Sequence, residues 1–67
     1  MRDWLKEKRV ESGYTMAQMA SKLEITESYY SMIESGERQK KMDVALAAKL
    51  SAVLDLPLKK IVENENQ

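Results

Sequence analysis

The stretch TMAQMASKLEITESYYSMIESG, from Thr15 to Gly36, decides the fold. Thr15 and Gln18, three residues apart, have the capping-box form: the threonine hydroxyl accepts from a first-turn amide while the glutamine reaches back to the cap. A helix therefore starts at Thr15, carries Met16, Met19, Ala20 and Leu23 as its apolar stripe, and ends near Leu23 or Glu24. Thr26 is a second cap, followed by Glu27, whose carboxylate suits the positive end of a helix. The helix it opens buries Tyr30 and Ile33, leaves Glu27, Ser28, Ser31 and Met32 on or near the opposite side, and stops at Gly36. Two short helices this close in sequence match the spacing of a helix-turn-helix. Ile25 is placed to plug the turn, and Ala20 is small enough to let two steeply crossing backbones approach.

Outward from this unit the apolar residues keep recurring at helical steps, and the 67 residues hold only two glycines and one proline. The reading is all-α, five helices at about 2–12, 15–23, 26–35, 43–54 and 57–63. Leu5 and Arg9 share one face of the first, with Val10 close to it, and Gly13 ends it. The polar segment from Glu37 to Lys41 is a loop; Asp43 then caps the fourth helix, with Leu46, Leu50, Val53 and Leu54 apolar. Pro57 suits the first turn of the fifth, which uses Leu58, Ile61 and Val62. Residues 1–62 form one domain, and 63–67, Glu-Asn-Glu-Asn-Gln, are polar enough to be a frayed tail.

A chain of this length has room for one core, and without Cys or His it can hold neither a disulfide framework nor a common zinc site. The same absence, with no nucleophile motif and no phosphate-cradling glycine loop, argues against an enzyme and predicts no catalytic residues, no metal and no cofactor. Eleven basic residues balance eleven acidic ones, which argues against a polyanion binder working through bulk charge. Distribution then matters. Arg2, Lys6, Lys8 and Arg9 outnumber Asp3 and Glu7 at the start of the chain, and Arg38, Lys40 and Lys41 outnumber Glu37 in the loop. The first ten residues are too charged for a secretory signal and no run is long enough to span a membrane, so a soluble cytoplasmic protein is expected, with no membrane partner and no evident small-molecule ligand.

The chain resembles the Cro/repressor family of phage and bacterial regulators, which includes the lambda repressor N-terminal domain, from about Trp4 to Val62. The resemblance is carried by Leu5-Lys-Glu-Lys-Arg9-Val10, Gly13-Tyr-Thr15, Met19-Ala20-Ser-Lys-Leu23, Ile25-Thr26-Glu-Ser-Tyr-Tyr30, Ile33-Glu34-Ser-Gly36-Glu-Arg38 and Leu50-Ser-Ala-Val-Leu54-Asp-Leu56. It implies a compact five-helix lambda repressor-like domain that binds double-stranded DNA as a sequence-specific transcriptional regulator, a repressor, acting as a homodimer on paired half-sites. In such a domain the second motif helix enters the major groove.

By position, the resemblance makes Thr26, Glu27, Ser28, Ser31 and Met32 the base-reading residues, with Tyr29 beside them. Glu27 could accept from a cytosine amino group, or could simply be a first-turn acid favoured by the helix dipole. Phosphate contacts fall to Thr15 and Met16, through backbone amides, and to Arg38, Gln39, Lys40 and Lys41, although a lysine-rich loop is also the ordinary form of a solvated one. Arg9 and Glu34 occupy positions that pair in the family, a structural role, and Tyr30 takes a core position. The sequence departs from the pattern in three places: Met16 stands where many relatives have glutamine, the reading face lacks Arg, Lys, Gln and Asn, and Asp55 replaces the glycine after the fourth helix. The surface near 57–62 either closes the core or provides self-contact. The alternative function is a protein-interaction module of the same fold that has lost DNA binding.

Overall fold

The computed structural model describes residues 1–66. Among them are five helices and no strand: α1 (Asp3–Glu11), α2 (Met16–Leu23), α3 (Glu27–Ser35), α4 (Val44–Leu54) and α5 (Leu58–Glu65). No helix among the described residues is long and apolar enough to cross a membrane.

Local chemistry sets most of the helix ends. The Thr15–Gln18 capping box forms in both directions, Thr26 accepts from the Tyr29 amide, and Asp43 accepts from the Leu46 amide at 2.7 Å. α3 ends on Gly36 at φ 88°, in the left-handed region that glycine enters without steric cost. Two other helices end on non-glycine residues in that same region, α2 on Glu24 (φ 60°) and α4 on Asp55 (φ 52°). Aspartate tolerates this conformation better than glutamate does, so the helix-turn-helix turn stores backbone strain at Glu24.

The core is drawn from every helix. Leu5 of α1, Met19 and Leu23 of α2, Tyr30 and Ile33 of α3, Leu50 of α4 and Ile61 of α5 are all essentially inaccessible to solvent. Ala20 sits where α2 meets α3 and is also buried, and Ile25 in the turn packs against the same cluster. Its amide donates to the Ala20 carbonyl at 2.9 Å, which closes the turn.

Three expectations need correction. The tail expected at 63–67 is helical as far as Glu65, because the Glu65 carboxylate is anchored by Arg2 and by the Trp4 indole; of that tail only Gln67 lies outside the described residues. Of the apolar residues expected to close the core from α5, only Ile61 does so, while Leu58 is 44% and Val62 51% exposed. Residues 58 and 62 are a helical turn apart and share the outward side of α5. Val10 is also exposed, since Leu5 and Arg9 alone take the inward face of α1.

Candidate nucleic-acid interface

α3 presents two unlike sides. Tyr30, Ile33 and Glu34 point into the molecule, while Thr26, Glu27, Ser28 and Ser31 are exposed and Met32 is half-buried beside them. Thr26 has a double position: its hydroxyl oxygen accepts from the Tyr29 amide at 3.1 Å, leaving the hydroxyl proton to donate outward. The Glu27 and Ser28 amides, in the first turn, find no acceptor among the described residues.

The start of α2 is arranged differently from the sequence expectation. The Thr15 amide donates to Gln18 Oε1 at 2.8 Å, so it is not available to an incoming anion. A capping box consumes the amide of its own cap residue, and this could have been read from the motif. The first-turn donors left without an acceptor among the described residues are the amides of Met16 and Ala17. Ala17 was not among the positions singled out from the sequence at this end. The Met16 side chain packs against the core.

Gln39 is also corrected. Its Nε2 donates to the Tyr29 hydroxyl at 2.9 Å, its Oε1 accepts from the Asp43 amide at 3.0 Å, and its carbonyl accepts from Arg2. With φ at 55° it is the point where the loop reverses, and its side chain links α3 to the cap of α4 instead of standing free for a phosphate. Arg38, Lys40 and Lys41 are exposed and form no ion pair among the described residues.

Beneath α3 lies a polar cluster that fixes its tilt. Arg9 Nε donates to Glu34 Oε2 at 2.7 Å and Arg9 Nη1 to the Tyr14 carbonyl at 2.9 Å, so one guanidinium ties α1 to α3 and to the residue before the α2 cap. Hydrogen bonding to Glu34 holds the Arg9 guanidinium above its already high range. The Tyr30 hydroxyl and Glu34 Oε1 are buried atoms without a hydrogen-bond partner among the described residues. Burial above all, then the Glu34 carboxylate, push the Tyr30 phenol far upward, so it stays protonated.

A second tether was not legible in the sequence. The Arg2 amide donates to the Glu34 carbonyl at 2.8 Å, and its side chain donates to the Ile33 carbonyl at 2.6 Å. Both carbonyls lie in the last turn of α3, where a helix has unsatisfied acceptors and the negative end of its dipole. No local pattern signals this contact.

The arrangement combines an exposed α3 face, amides in the first turn of α2 that have no acceptor among the described residues, and loop cations that form no ion pair among them. A profile of the family described as helix-turn-helix matches residues 5–61. Over 39 residues the chain is 46% identical to the uncharacterized HTH-type transcriptional regulator YqaF of Bacillus subtilis (strain 168), a match covering 58% of this chain and 51% of that protein. The chain thus spans about half the length of the curated relative it matches. No solved structure matches.

Proposed function

Because the chain belongs to the helix-turn-helix family of DNA-binding regulators, we propose that it is a sequence-specific transcriptional repressor, acting in the cytoplasm and reading the major groove of double-stranded DNA with α3. The observation that carries this reading is the exposed row Thr26, Glu27, Ser28, Ser31, followed along the chain by Arg38, Lys40 and Lys41, which are exposed and form no ion pair among the described residues. Base edges are read by hydrogen bonding and methyl contact: Glu27 accepts from a cytosine amino group, Ser28 bonds either class of base, and Met32 packs on a thymine methyl. The Met16 and Ala17 amides and the loop cations engage phosphates, and the cations release condensed counterions. With no arginine or glutamine on the reading face, affinity leans on the phosphate contacts, so salt dependence is the sharpest readout.

The repressor binds as a homodimer, since one small domain covers too little DNA for tight specific binding. The outward Leu58 and Val62 on α5 are its contact. Fluorescence anisotropy against mixed-sequence and candidate promoter duplexes at several salt concentrations tests the reading, with Lys40→Ala/Lys41→Ala as the variant. The log–log salt slope of the double variant should be shallower by about 1.8, from ~0.9 for each phosphate no longer neutralised. A folded wild-type protein that binds no duplex at low salt would defeat the proposal and leave the protein-interaction reading in its place.

A further inference from the structure

Arg2 is 7% exposed, yet its guanidinium uses all five of its N–H donors. Nε and Nη2 grip the two Glu65 carboxylate oxygens at 2.9 and 3.0 Å. Nη1 donates to the Ile33 carbonyl at 2.6 Å and to the Arg38 carbonyl at 3.3 Å, and Nη2 also donates to the Gln39 carbonyl. The Trp4 indole adds a bond to Glu65 Oε2 at 2.9 Å. One planar cation therefore joins the end of α3, the backbone of the following loop and the last turn of α5.

We propose that Arg2, oriented by Glu65, is the positioning residue that holds the 38–41 loop against the end of α3, so that Arg38, Lys40 and Lys41 meet phosphate in register with the reading face. This rests on the DNA-binding reading above. Arg2 is not a phosphate contact itself, because it is buried and its charge is matched by Glu65. Its acceptors are backbone carbonyls on either side of the loop's reversal at Gln39, so they fix the path of the loop whatever its side chains do. A lysine could keep the charge and pair with Glu65, but its three donors radiate from one atom and cannot span the carboxylate and three separate carbonyls.

The test compares wild type with Arg2→Lys, Arg2→Met and Glu65→Gln, read by 15N relaxation on the free protein and by the salt dependence of duplex binding. The Ile25 and Tyr30 amides report that the helix-turn-helix is intact. In Arg2→Lys and Arg2→Met, order parameters at 38–41 should fall from about 0.85 towards 0.6, with Ile25 and Tyr30 unchanged. Their salt slope should become shallower by about one to two units, at ~0.9 for each phosphate the loop no longer reaches. Glu65→Gln, which keeps one acceptor oxygen for Arg2, should fall between these and wild type, and it carries the test together with Arg2→Lys if Arg2→Met does not fold. An ordered loop in Arg2→Lys, or a disordered loop with an unchanged salt slope, overturns the assignment. Failure of wild type to bind any duplex instead strikes the DNA-binding reading itself, and is distinguishable because it appears before any substitution is made.

Discussion

Removing Glu34 alone should be among the most damaging single changes to this fold. The Glu34 side chain is 2% exposed, and its Oε2 receives the Arg9 guanidinium, itself 10% exposed, at 2.7 Å. Truncation to alanine leaves a buried cation without its counter-charge and opens a cavity next to Tyr30, and breaking a buried pair from one side costs about 3–5 kcal/mol. A domain of 67 residues has on the order of 3–10 kcal/mol in total, from ~0.05–0.15 kcal/mol per residue. Glu34→Ala should therefore consume from about a third to all of the stability. Urea unfolding followed by far-UV circular dichroism measures it: with a slope of about 1 kcal/mol per molar, the midpoint drops by about 3 M or more, or the protein is unfolded without denaturant. Removing both charges by Arg9→Met/Glu34→Leu should recover most of the loss, because the desolvation of both ions is removed with their attraction. A loss below about 1 kcal/mol in Glu34→Ala, or a double variant no better than the single ones, would refute the view that a dry, coupled pair sets the position of α3.

The raised phenol of Tyr30 gives a pH dependence. The folded state keeps its proton while the unfolded chain releases it above about 10, so stability is full below that pH and falls above it by up to ~1.4 kcal/mol per pH unit; Tyr30→Phe should remove one proton's worth of this slope in urea midpoints taken across the alkaline range. Thr15→Ala breaks the side-chain half of the capping box and should lower stability by about 1 kcal/mol, or roughly 4–8 °C in a thermal melt. Gly36→Ala should cost about 1 kcal/mol from the left-handed backbone alone, since the added Cβ meets its nearest atom, the Met1 backbone nitrogen, at an ordinary 3.7 Å. Glu24→Gly should act oppositely and gain up to about 1 kcal/mol in the same melt, by relieving the left-handed glutamate in the turn.

How legible each feature was depends on the range of the interaction behind it. Thr15, Thr26 and Asp43 cap helices through bonds to amides three residues away, so a short string of sequence contains both partners. Even at this range a reading can stop early: the capping box is plain in the sequence, yet the Thr15 amide counts as free for a phosphate only until the second half of the motif is followed through. Gln39 reads as one more polar loop residue because its partners, Tyr29 and Asp43, are brought to it only by the reversal of the loop.

By itself the sequence determined five helices, the caps of α2, α3 and α4, and the inward positions of Leu5, Met19, Leu23, Tyr30, Ile33 and Leu50, because helical period and capping are properties of short segments; the Arg9–Glu34 pair, 25 residues apart, was legible only through the resemblance. Only the tertiary structure decided that Glu65 belongs to a helix and not to a loose tail, that Leu58 and Val62 stay outside the core, and that Arg2 is spent inside the molecule. Arg2 and Glu65 lie 63 residues apart, a separation at which composition carries no directional information. The bond forms because the fold brings the last turn of α5 to Arg2, whose remaining donors satisfy carbonyls at the end of α3 and in the loop after it, so that a buried cation finds its counter-charge in Glu65.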